Sequence, residues 1–198
     1  SPVASQPRNG ASCRWACDHS SRSLKGVNWS VQPSLERLEV LRRQHHRDCF
    51  ACSSPEFRLE FDLMPDGRIV TGRAFGRHSC SYAGHVHGGL LSLCIDEAMT
   101  CALMAYGVVA VTGRMSLRYL HPVLPDVPVT LSASLVSANP PLFEMQASII
   151  QGSTLMVKAS AKFMSRFAAG STAPDATNNL TESMLHGEVI AEPASIVP

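Results

Sequence analysis

The residues with the clearest chemical promise lie in one run, Tyr82-Ala83-Gly84-His85-Val86-His87-Gly88-Gly89, followed at once by Leu90-Leu91-Ser92-Leu93-Cys94-Ile95-Asp96-Glu97-Ala98-Met99. Small residues at a helix mouth let backbone amides approach a ligand, and the helix dipole adds positive potential at the same point. Such amides suit an oxyanion that develops during a reaction. An acid set in the apolar helix that follows is costly to bury unless it is paired or used. Asp96 comes two helical turns after Gly89 and lies on roughly the same face, whereas Glu97 is rotated from it by about 100°. One segment therefore offers a donor for a carbonyl oxygen and a carboxylate for base or nucleophilic chemistry.

Other residues carry weaker signals. His87 has two readings that the sequence leaves open, a side chain holding the helix entry by hydrogen bonds or a direct participant in catalysis. His85 reads as a spacer. Arg114 and Arg118 share one wet strand face, as do Lys158 and Lys162, which fits either a solvated sheet or contacts to phosphate. His45, His46, Cys49 and Cys52 have the spacing of zinc ligands, with Cys13 and Cys17 upstream. Cys13 and Cys17 fall in an irregular stretch, so the segment is read without a metal, and no cofactor is expected.

These residues need elements to position them. Residues 1–32 mix Ser, Arg, Asn, Gly and Cys without a period and read as an irregular arm. Pro33 and Ser34 open a helix through Leu35, Leu38 and Leu41. Phe57-Arg58-Leu59-Glu60-Phe61-Asp62-Leu63 alternates apolar with charged, Met64-Pro65-Asp66-Gly67-Arg68 is a turn, and Ile69 to Phe75 completes a hairpin. A long helix runs from Gly88 to Tyr106, and Gly107 ends it. Four alternating runs follow, around Met115–Tyr119, Val129–Leu135, Phe143–Ile149 and Val157–Phe163. Period-2 alternation in all of them predicts an antiparallel sheet with one wet face, and short connections favour sequential neighbours within it. The fold class is therefore α+β, with about six antiparallel strands wrapped around one long central helix. Residues 33–167 form that domain, and 168–198, rich in Ala, Ser, Thr, Asn and Glu, read as a mobile tail.

Composition sets bounds on function. The 198 residues are 45% hydrophobic and 17% charged, with a net charge of +1, which gives no electrostatic case for a nucleic-acid or bilayer partner. Seven cysteines without a secretory signal read as reduced thiols of a cytoplasmic protein. The apolar run from Gly88 to Val111 is the one candidate membrane span, but Asp96 and Glu97 near its middle each cost roughly 2.5–3.5 kcal/mol in a bilayer. A buried helix is the better reading.

The order strand–strand–helix–four strands, with His87-Gly88-Gly89 at the helix mouth, resembles the hotdog-fold acyl-CoA thioesterases. The PaaI-like branch of the 4-hydroxybenzoyl-CoA thioesterase superfamily is the nearer match. The resemblance covers residues 49–165 and includes Gly84, the acid at Asp96, and Val111-Thr112-Gly113-Arg114-Met115-Ser116-Leu117-Arg118-Tyr119-Leu120-His121-Pro122-Val123. It implies hydrolysis of an acyl-CoA thioester, with the backbone amide of Gly88, supported by Gly89 and His87, polarising the carbonyl. Asp96 serves as nucleophile or general base, with Thr112 holding the water or the acid. Gly84, Arg114, Arg118 and Lys158 are the implied substrate contacts. Many relatives carry Asn or Gln where this chain has Ser81, a shorter donor that leaves room for altered substrate geometry. A homodimer or dimer of dimers with shared active sites is implied. The alternative is a non-catalytic acyl-CoA or acyl-carrier binding protein, against which the retained Asp96 and glycines argue. A hydratase would need an Asp/His pair placed for proton transfer to carbon, and this layout does not supply one.

Overall fold

The computed structural model describes residues 31–165. The arm and the tail inferred from composition, together with Cys13 and Cys17, fall outside the described residues, apart from positions 31–32. Helix α1 (Leu35–His45) begins where the sequence places it, with Ser34 Oγ accepting from the Arg37 N–H at 3.4 Å. A single-turn helix α2 (Phe50–Ser53) and a two-residue strand β1 (Asp62–Leu63) come next. Strand β2 (Ile69–Arg73), a 3-10 turn at Arg77–Ser79, and the short pair β3 (Cys80–Tyr82) and β4 (His85–Val86) lead into helix α3 (Gly88–Ala105). Four long strands complete the order: β5 (Ala110–Tyr119), β6 (Val129–Asn139), β7 (Leu142–Gln151) and β8 (Thr154–Ser165).

One antiparallel sheet holds six of the strands in the order β1-β2-β6-β7-β8-β5 and packs against α3. The inward alternates Leu131, Ala133, Met145, Ile149, Val157 and Phe163 are all buried, as are Ile95, Ala98, Met99 and Ala102 of α3. Helix α1 packs on the remaining side of α3. By length and composition α3 is apolar enough to cross a membrane, yet the domain uses it as the core around which the sheet is laid. This is the hotdog arrangement expected from the sequence.

Both ends of α3 are tied by local chemistry. At its C-terminus the Val108 N–H bonds Leu103 O at 3.0 Å and the Gly107 N–H bonds Met104 O at 2.8 Å, a Schellman cap that needs the φ of +84° that Gly107 adopts. Arg37 Nη1 and the Ser34 N–H both donate to Ala105 O, so the start of α1 closes the end of α3.

Two expectations change. The alternating run Phe57–Leu63 is not a seven-residue strand: only Asp62 and Leu63 pair, with Val70 and Ile69. The cause is tertiary, because Arg42 Nη2 reaches in to bond Leu59 O at 3.0 Å and diverts that backbone from a ladder. Leu59 is still buried and Arg58 and Glu60 still face outward, so the alternation reports burial without pairing. Sequential order also fails at one point. Strand β5 pairs with β8 at the sheet edge, and the proline-containing segment after it crosses to start β6 beside β2.

Candidate functional site

His87 caps α3 in an unusual way for a histidine: its Nδ1 accepts from the Gly89 N–H at 2.9 Å. That bond requires Nδ1 to be unprotonated, which places the ring proton of the neutral side chain on Nε2. The next two amides, of Leu90 and Leu91, both bond His87 O, at 3.0 and 3.2 Å. Among the first four amides of α3, only the Gly88 N–H has no acceptor among the described residues. It lies at an open cleft of about 270 Å³ lined by His85, Val86, Gly88, Leu91, Tyr119 and His121, among others. Gly84, with φ +76°, turns β3 into β4 just before this mouth.

The mouth is braced by two residues that the sequence reading left unassigned. Tyr119 Oη donates to Gly88 O at 3.0 Å and lies 2.6 Å from Ser92 Oγ, which also reaches Gly88 O. The spacing of Ser92 one turn after Gly88 is a signal in hindsight; the partnership with Tyr119 depends on how β5 lies along α3.

Farther along the same strand and helix, Thr112 Oγ1 donates to Asp96 Oδ1 at 2.6 Å. Thr112 faces the helix because β5 is bulged at Gly113: Thr112 is level with the core residue Phe163, yet Arg114 is level with the outward Lys162. In a regular strand residues two apart share a face, and the extra residue breaks that rule here. Asp96 is half-buried, while the deeply buried acid of α3 is its neighbour Glu97, 5% exposed.

The other candidates separate from this pair. Arg114, Arg118 and Lys158 are exposed on the outer face of the sheet, away from α3, with Arg118 opposite Lys158 and Arg114 opposite Lys162. Lys162 also pairs with Glu144 at 3.4 Å. Ser81 is exposed on β3, and no hydrogen bond links it to Gly88 or Asp96 among the described residues. His46, Cys49 and Cys52 do converge, around Glu97, while His45 is exposed at the end of α1. Burial, reinforced by the Glu97 carboxylate beside them, pushes the Cys52 and Cys101 thiols well above the usual range.

Residues 83–158, from the helix mouth to the middle of β8, match the family model described as the thioesterase superfamily. The match spans 76 of the 198 residues and marks a similarity to that superfamily. A Streptococcus pneumoniae hypothetical thioesterase protein, solved with coenzyme A, is 24% identical with a TM-score of 0.52, over 55% of this chain and 89% of that one. The PaaI protein of the Escherichia coli phenylacetic acid degradation operon is 17% identical with a TM-score of 0.58, over 68% and 98% of the two chains. A Streptococcus mutans protein bound to acetyl-CoA is 18% identical with a TM-score of 0.51, over 55% and 90%. These likenesses are of fold. No curated protein matches the chain.

Proposed function

We propose that the protein is a member of the thioesterase superfamily and hydrolyses an acyl-CoA thioester. The observation that carries the reading is the Gly88 N–H, alone among the first four amides of α3 in having no acceptor among the described residues, at the positive end of that helix and at the cleft. In this reading the thioester oxygen accepts from Gly88. Water, deprotonated by Asp96, adds to the carbonyl carbon, or the Asp96 carboxylate adds first and water then releases the acyl group. The C–S bond breaks, the sulfur leaves as the CoA thiol with the transferred proton, and the free acid forms. Thr112 orients Asp96 for either route. Arg118 and Lys158 are assigned to the CoA phosphates, an assignment that fits their charge and exposure. The CoA and acetyl-CoA carried by the two streptococcal proteins support that ligand class.

The site is assigned to two protomers. Strand β5 is a ten-residue sheet edge without a partner on its outer side among the described residues, and Val111 and Tyr119 are 52% and 51% exposed. A two-fold antiparallel pairing of β5 with its copy joins opposite ends of the strand. The Thr112–Asp96 end of one protomer then meets the Tyr119–Gly88 end of the other.

The test is a thiol-release assay over short, long and aromatic acyl-CoAs, with Asp96→Asn alongside. Hydrolysis by wild type and its loss in Asp96→Asn are expected. Equal rates in the two proteins would remove Asp96 from the mechanism. Absence of hydrolysis together with thermal stabilisation by CoA would favour the acyl-CoA binding module instead.

A further inference from the structure

Glu97 is the most demanding polar group in the core. It sits midway along α3, next in sequence to Asp96 but turned from the sheet towards α1 and α2. Its carboxylate has no Lys or Arg partner among the described residues. What surrounds it instead is sulfur and imidazole: Cys52 Sγ at 2.8 Å and Cys101 Sγ at 3.2 Å from Oε1, with Cys49 Sγ at 3.9 Å and His46 Nδ1 at 4.0 Å from Oε2. Thiols are weak donors and a poor match for a buried carboxylate.

We propose that His46, Cys49, Cys52 and Glu97 bind one zinc ion. The four donor atoms come from three elements, the C-cap of α1, the turn α2 with its N-cap, and α3, and all lie within 4.8 Å of one another. With Zn–S bonds near 2.3 Å, the edge of a tetrahedral site is about 3.8 Å. The separations that close this cluster, 2.8, 3.6, 3.9 and 4.0 Å, straddle that length. Two sulfurs, one nitrogen and one oxygen form a borderline-soft set that suits zinc over magnesium or calcium. The His-x-x-Cys-x-x-Cys spacing supplies three ligands from one short segment, and the core helix supplies the fourth.

Charge supports the same assignment. Zinc with two thiolates, one carboxylate and a neutral imidazole carries a net charge of −1. The Arg42 guanidinium, 3% exposed, lies alongside: Nη2 is 3.2 Å from Cys101 Sγ, which in turn touches Glu97. A buried cation therefore faces the side of the site that needs one. Binding releases the two thiol protons and uses Nδ1 of His46, leaving its proton on Nε2. Four protein ligands leave no open position, so the metal is structural. It clamps the α1–α2 corner to α3 one residue from Asp96.

The test uses the full chain, reduced and purified without chelator, with metal measured by mass spectrometry. About one zinc per chain is expected, lost in Cys49→Ser, Cys52→Ser and Glu97→Gln and kept in Cys94→Ser, which alters a buried thiol outside the cluster. Cys49 is only half-buried, so Cys49→Ser is the variant best able to fold without the metal; circular dichroism checks this. Cobalt added to the metal-free protein is expected to give thiolate charge-transfer absorption, absent in Cys49→Ser. A folded wild-type chain that holds no zinc and takes up no cobalt overturns the proposal. So does zinc content unaffected by Cys49→Ser, or a Cys49–Cys52 disulfide in the native protein, seen as the loss of two hydrogens.

Discussion

Replacing Gly88 with proline would delete the one amide on which the proposed mechanism depends and leave the helix in place. Gly88 is the first residue of α3, where proline is well tolerated because that N–H has no intrahelical partner. His87 precedes it at φ −60°, ψ 126°, an extended conformation that a following proline favours. The atoms nearest a Cβ at position 88 are those of Tyr119, the first at 3.6 Å, which is ordinary contact. The His87–Gly89 cap does not involve the Gly88 nitrogen and survives. Stability should therefore be unchanged or rise by about 0.4–1 kcal/mol through a less flexible unfolded chain. Activity should fall by about 10²–10³-fold in kcat, the usual effect of losing one oxyanion donor. Gly88→Ala adds the same Cβ but keeps the N–H, so it controls for bulk and should remain within about tenfold of wild type. Melting curves and thiol-release kinetics on the three proteins decide the matter. Gly88→Pro that is stable and hydrolyses at the wild-type rate would refute the oxyanion role. Gly88→Ala as inactive as Gly88→Pro would assign the loss to crowding at Tyr119.

Four further outcomes are expected. Mixing inactive Gly88→Pro and Asp96→Asn protomers should restore roughly a quarter of wild-type activity, because half of the dimers are mixed and each then holds one intact site of two; no recovery would place both residues of a site in one chain. Thr112→Val removes the 2.6 Å hydrogen bond to Asp96 with little change in shape and should lower kcat/KM about tenfold with a small change in melting temperature. Gly107→Ala forces a side chain to φ +84° and brings its Cβ to 2.9 Å from Arg37 Cδ, so both caps at the end of α3 suffer; denaturant titration should show a loss of about 1–2 kcal/mol. Burial holds the Cys94 thiol up at about 11 in the folded chain against an ordinary 9.0, so its contribution to stability is complete below pH 9 and is lost as pH rises towards 11. Cys94→Ala should flatten that part of the plot of melting temperature against pH.

The elements that could be read from the sequence are those whose burial is periodic. The four long strands and α3 show their period directly, and Gly107 stops the helix where the pattern says. The short β1 could not be read, because the alternation of Leu59 and Phe61 records which side is buried and not that Arg42 has taken the Leu59 carbonyl. The place of β5 at the edge depends on where the following crossover lands, which local pattern does not encode. At the candidate site, the position of Gly88 at the mouth of α3 and of Asp96 two turns on follows from spacing along one helix. Tyr119 and Ser92 do not, since their meeting needs the angle between β5 and α3. Glu97 illustrates the same limit: on a helix apolar around most of its circumference, adjacent acids cannot be ranked by burial until α1 and α2 are in position.

The bulge at Gly113 makes strand length a chemical variable. Facing alternates along β5, and the extra residue inverts its parity, so that Thr112 before it and Met115, Leu117 and Tyr119 after it all look towards α3. Were the strand straight, Gly113 would take a ladder position of its own, level with Phe163, and Thr112 would turn to the outer face. The loss of the bulge, without any change to Thr112 itself, would then remove the hydroxyl from beside the acid. In this strand the register carries as much of the site's chemistry as the side chains do.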